Sequence, residues 1–136
     1  LKNRRTMMNY LEEELDETIN TLKISSKKLN SEEIATLIST LTKKYFKTEK
    51  NVLDPVDFNE KCTEHNPDFW KEIPDRIKKN DLILLVFDTG HRAWKLENAQ
   101  DLALLISETT GYPFWVTDHD LSFLVHLDDH DCVLWA

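Results

Sequence analysis

The sequence predicts an α+β fold in which N-terminal helices pack on a mostly antiparallel sheet formed by the C-terminal half. Three observations predict it. Apolar residues in the first half recur at helical spacing, Leu82–Phe87 is an unbroken apolar run, and short apolar segments after Gly111 alternate with turn residues. The 136 residues are 40% apolar and 31% charged, which suits one globular domain with its own core over 1–136.

Leu11, Leu15, Ile19 and Leu22 mark one face of a first helix near 9–23, with Asn9 as cap and Glu12 three residues on. Met7 and Met8 are both candidate starts, so residues 1–8 are expected to be a disordered or added lead outside the fold. Asn30 and Glu33 stand in capping-box spacing ahead of a second helix near 31–47, whose buried face is Ile34, Leu37, Ile38, Leu41 and Tyr45. Lys43, Lys44 and Lys47 follow at its C-terminal end, where the helix dipole favours cations. The stretch 49–64 holds Asp54-Pro55 and no sustained period, which predicts a long connection with a strand fragment around 52–58. Asn66-Pro67 reads as the cap and first position of a short third helix burying Phe69, Trp70 and Ile73, with Pro74 kinking or ending it.

Leu82–Phe87 then fits a central strand covered on both faces, and Arg92–Lys95 a short strand after the Thr89-Gly90-His91 turn. Asn98 and Asp101 begin a helix over 98–109 that buries Leu102, Leu105 and Ile106, with Gly111 as its left-handed stop. Strands follow at 113–117, 121–127 and 132–135; in the second, Leu121, Phe123, Val125 and Leu127 alternate with Ser122, Leu124 and His126. Of the consecutive Phe114 and Trp115, one ring must leave the face the other occupies, and Trp115 is the candidate outward contact. Trp70, Trp94 and Trp135 read as core or edge packing, and Cys132 as a buried, inert thiol.

The net charge of −8 has a location. Residues 1–95 hold 17 basic and 17 acidic side chains, whereas 96–136 hold eight acids and no Lys or Arg. Phosphate is repelled by such a surface, so direct nucleic-acid binding is not expected, and a basic partner or a cation is. No apolar run reaches membrane-spanning length, and Cys62 and Cys132 form neither a disulfide framework nor a zinc knuckle, which points to the cytoplasm. With Gly90 and Gly111 as its only glycines, the chain carries no Walker loop or dinucleotide fingerprint, and no G-x-S-x-G elbow is present. No catalytic residue and no cofactor is assigned.

The densest polar constellation is Asp118-His119-Asp120, His126 and Asp128-Asp129-His130-Asp131. It admits three readings, the plainest being that aspartates at strand turns accept backbone N–H bonds and build the turns. Asp118, Asp120, Asp128, Asp129 and Asp131, with Trp115, form a binding surface for Lys/Arg of a protein partner. Alternatively, strand pairing gathers His119, His126 and His130 into the metal site of a metal-binding domain or metal-dependent hydrolase.

Asp81–Asp88, Thr109–Asp118 and Leu124–Trp135 carry a resemblance over 81–136 to the small cytoplasmic immunity proteins of bacterial contact-dependent inhibition and polymorphic-toxin systems. The resemblance implies a protein without enzymatic activity that binds and neutralises a cognate toxin, often a nuclease with a basic substrate groove. The first 80 residues contribute nothing to it.

Overall fold

A computed structural model describes residues 2–109 and 111–136, with side chains from Tyr10 onward. Among these residues there are α1 (Lys2–Leu22), β1 (Ser26–Lys28), α2 (Ser31–Tyr45), β2 (Cys62–His65), α3 (Phe69–Arg76), β3 (Leu82–Phe87), β4 (His91–Leu96), α4 (Ala99–Glu108), β5 (Phe114–Asp118), β6 (Leu124–Leu127) and β7 (Cys132–Trp135). The strands form one antiparallel sheet in the order β1-β4-β3-β5-β6-β7-β2. The α+β class, with N-terminal helices on an antiparallel sheet drawn mainly from the second half, is as expected. Among the described residues no helix is long and apolar enough to cross a membrane.

Both faces of the sheet are covered. Helices α1, α3 and α4 bury Leu15, Ile19, Phe69, Ile73, Leu102 and Leu105 against Leu84, Trp94, Phe114, Val116 and Val125. On the other face α2 and the 46–58 segment bury Leu37, Leu41, Phe46, Leu53 and Phe58 against Ile83, Leu85, Ala93, Trp115 and Leu124. Successive strand residues therefore enter different cores, which explains the unbroken apolar run of β3.

Two of the four predicted helix caps, Asn30 and Asn98, hold. Asn30 and Glu33 form the reciprocal box at α2, and the Asn98 side chain accepts from the Asp101 N–H at 2.8 Å to start α4. Gly111 has the left-handed φ expected of it, +83, but it is not the stop of α4, which ends at Glu108 with Thr109 as an extended C-cap. Thr110, part of the segment carrying the resemblance, lies outside the described residues.

Several elements differ from expectation. Helix α1 starts at Lys2, so Asn9 is interior and not its cap, and residues 2–8 are not a lead outside it; this stretch contains good helix formers such as Lys, Arg and Met and no helix breaker. Asp68, not Asn66, precedes α3; Asn66 instead turns the chain by accepting the Asp68 N–H at 3.1 Å, and α3 runs two residues past Pro74. The 52–58 strand fragment is a 3₁₀ turn at Pro55–Asp57, opened by the Asp54 side chain and pinned by a single Phe46–Phe58 bridge. Edge strands β1 and β2 come from polar sequence without a strand signature. Strand β6 starts at Leu124 rather than 121, because Leu121 adopts φ +54 and its carbonyl accepts from Lys44 Nζ at 2.7 Å and Tyr45 Oη at 2.6 Å.

Across the outer edge, the Arg76 guanidinium grips Glu64 with both nitrogens, and Trp135 Nε1 donates to the same carboxylate at 3.2 Å. This clamp joins β2, α3 and β7. Hydrogen bonding from Arg76 holds the Glu64 carboxyl down to about 2 in spite of partial burial.

Candidate functional site

Strands β5, β6 and β7 form a meander whose two turns lie at opposite ends, because Phe114 pairs with Leu127 while Thr117 pairs with Leu124. The five aspartates predicted to form one surface divide accordingly, with Asp118 and Asp120 at one end and Asp128, Asp129 and Asp131 at the other.

At the first end the charge is met locally. Asp118 is 3% exposed and accepts the backbone N–H of Ser122 at 2.7 Å and the Ser122 hydroxyl. Burial raises its carboxyl, but these hydrogen bonds and Lys79 outweigh it, so the group stays below its ordinary range. Asp118 therefore builds the turn and is withdrawn from the predicted contact surface. Exposed His119 presents Nδ1 to Lys95 Nζ at 3.0 Å; the ammonium can only donate, so Nδ1 accepts. Asp120 is exposed on this turn, within a neighbourhood that also contains Lys44.

Between the ends, Trp115 and His126 are directly paired, and both point into the α2 core. Trp115 is 4% exposed and His126 4% exposed, and their rings stack with centroids 3.9 Å apart. Phe46 and Phe58 close over Trp115 at 5.6 and 5.1 Å. The outward contact predicted for Trp115 is thus corrected: Phe114 and Trp115 do leave opposite faces, but each face has its own core. His126 Nδ1 lies 3.0 Å from the Phe114 carbonyl and donates to it, and burial pushes the imidazole down to about 4 against the pull of that carbonyl, Asp128 and Asp129.

The predicted histidine cluster does not assemble. His119 lies on the β5–β6 turn, His130 on the β6–β7 turn, and His126 in the core between them. Among the described residues no three His, Cys, Asp or Glu side chains converge on a metal position. Cys132 is half-buried rather than enclosed, since its register partner is exposed His65 on the edge strand.

The second end is different. Asp128 Oδ1 accepts the N–H groups of His130 at 2.8 Å and Cys132 at 2.9 Å, and the Cys132 thiol hydrogen-bonds to the same carboxylate. The Asp129 side chain is 70% exposed, with only His130 Nε2 near it at 3.7 Å. Asp131 holds the turn through φ +63 and through its carbonyl, which accepts from Asn66 N at 2.8 Å. No Lys or Arg among the described residues pairs with any of the three. Beside them opens a cavity of about 250 Å³ whose apolar wall includes Trp70, Tyr112 and Phe114.

A larger cavity of about 830 Å³ lies between α2, β1 and the start of β4, lined by Lys28, Ile34, Ile38, His91 and Arg92. Its charges are satisfied internally. Lys28 pairs with Glu12 and Asp16, Arg92 with Glu12, and Lys50 with Asp57. His91 Nε2 accepts from Leu53 N at 3.2 Å, while Nδ1 is buried without a partner of good geometry. Burial pushes this imidazole down to about 4, outweighing the Val86 carbonyl. Size alone does not make the larger cavity the better site, because it presents no unbalanced field to a ligand.

Comparison of the chain with protein-family models, with curated proteins and with solved structures finds no match. The functional reading therefore rests on the residues themselves.

Proposed function

We propose that this chain is a non-enzymatic binding protein of the immunity type, which neutralises a basic partner, a toxin domain such as a nuclease, in the cytoplasm. One observation carries the proposal: the C-terminal 41 residues contain no Lys or Arg, and their β6–β7 end exposes carboxylates that no basic side chain among the described residues answers. Such a field accelerates encounter with a cationic surface and repels phosphate, so it suits masking of a substrate groove better than binding of its substrate. Asp128, Asp129 and Asp131 form the contact surface, with Asp120 outside it. Binding alone neutralises the partner, and the reading assigns the chain no turnover of its own.

The test is co-expression with the variable C-terminal domain of a large secreted protein encoded immediately upstream. Rescue from growth arrest together with a stoichiometric complex supports the reading. Absence of such a neighbour, or chelator-sensitive cleavage of nucleic acid by this chain alone, overturns it.

A further inference from the structure

The cavity beside the β6–β7 turn combines two features that recognise the same chemistry. Trp70 and Tyr112 supply aromatic surface, with buried Phe114 behind Tyr112 at a ring-centroid distance of 6.0 Å and an interplanar angle of 58°. Asp128, Asp129 and Asp131 supply negative charge at the same opening. An aromatic face attracts a cation through its quadrupole, and a carboxylate beside it adds a charge-assisted hydrogen bond.

The polar groups of the wall are oriented by their own bonds. Thr109 Oγ1 donates to the Leu105 carbonyl at 2.9 Å, so at 2.7 Å it can only accept from Tyr112 Oη. The Tyr112 hydrogen is thereby committed away from a ligand, leaving a fixed ring and oxygen lone pairs. Burial pushes that phenol up to about 12, so it stays neutral in the working range. Asp128 is fixed through Oδ1, which accepts two backbone N–H groups. A cation already rests against the outer aromatic: Lys71 Nζ lies 5.4 Å from the Trp70 ring centroid and 3.3 Å from Asp68. At about 250 Å³ the cavity has room for a side-chain head group together with water, each water needing ~30 Å³.

We propose that this cavity receives a single arginine side chain from the basic partner, its guanidinium stacked on the aromatic wall and forked toward Asp128 and Asp129. The inference rests on the binding reading above and names its anchor. Arginine fits better than lysine because a planar guanidinium stacks and forks at once, whereas an ammonium is a strongly hydrated point charge.

The experiment is a ¹H–¹⁵N titration of the full chain with the blocked tripeptide acetyl-Gly-Arg-Gly-amide, and with its lysine and citrulline counterparts. Saturable shifts are expected at the Trp70 indole N–H and the amides of Gly111, Tyr112, Phe114 and 128–132, about threefold or more stronger for arginine than for lysine and absent for citrulline. Asp129→Asn and Trp70→Phe should each weaken the arginine response at least threefold while leaving the remaining spectrum in place; both keep the local shape, so a folded variant is retained for the comparison. Equal response to citrulline, or shifts scattered over every exposed acid, would overturn the cavity assignment while leaving an acidic binding surface standing. Partner association insensitive to Asp128, Asp129 and Asp131 together would remove both.

Discussion

Acidification should destabilise the fold through His126 before most of its carboxylates are protonated. The imidazole is 4% exposed, stacked on Trp115 and held neutral, with its folded value pushed down to about 4 from the ordinary 6.5. The unfolded chain takes up this proton near pH 6.5, and the folded chain resists it until about 4. The stability contributed by the neutral ring is therefore fully present above 6.5 and is lost as pH falls toward 4. Its size is about 3 kcal/mol, from ~1.4 kcal/mol for each pH unit between the two values. Urea midpoints of wild type and His126→Gln, measured from pH 7.5 to 4, would isolate it. Glutamine can still donate to the Phe114 carbonyl but does not titrate. The variant should be weaker at pH 7.5 by ~1–2 kcal/mol for the lost stacking, and the two curves should meet between pH 6.5 and 4 and cross, leaving the variant the more stable protein at pH 4 by ~1–2 kcal/mol. Parallel curves down to pH 4, or a His126 ring resonance that titrates near 6.5, would refute the reasoning.

Trp115→Ala should cost about 3–5 kcal/mol in chemical denaturation, because Phe46, Phe58 and His126 all close on that ring. Glu64→Gln should cost about 1 kcal/mol at pH 7, less than its low carboxyl value would suggest, since the side chain is 34% exposed and solvent screens the pair. That difference should be complete above pH 4.5 and vanish as pH falls toward 2, as an acid-limb comparison would show. Asp118→Asn should lower the thermal midpoint by about 3–6 °C without altering partner association, whereas Asp129→Asn should leave the midpoint in place and slow association in stopped flow. Association of the wild type should slow steeply with added salt, and a rate indifferent to salt would place the contact away from the acidic turn.

The parts of the fold legible in the sequence are those specified locally. Asn30 with Glu33, Asn98 with Asp101, and the run Leu82–Phe87 each carry their own cause within a few residues, and the helices and strand they predict stand within a few residues of the expected bounds. Edge strands β1 and β2 were not legible, because Ser26–Lys28 and Cys62–His65 owe their conformation to the ladders of β4 and β7 and not to their own polar side chains. The alternation of 121–127 was misleading for a related reason. Period two separates core from solvent only when one face is wet, and here Leu124 and Val125 enter separate cores.

The acidic site shows the same division between local and distant causes. Counting charges along the chain correctly identifies 96–136 as unbalanced, but a sum along the sequence ignores which earlier residues return to meet it. Lys44, Lys79 and Lys95 all return to the Asp118 end, from α2, from the approach to β3 and from β4. The parts that reach the other end, α3 with Thr109, Gly111 and Tyr112, bring Trp70 and Tyr112 instead, and Lys71, the cation over the Trp70 ring, is held by Asp68. A meander with opposed turns thus turns one acidic stretch into a satisfied structural corner and an unsatisfied one. The unsatisfied corner alone retains a field for a partner to answer, so reversing charge there, by Asp129→Lys, should abolish association, while Asp120→Lys at the corner already supplied with lysines should change its rate by less than about tenfold.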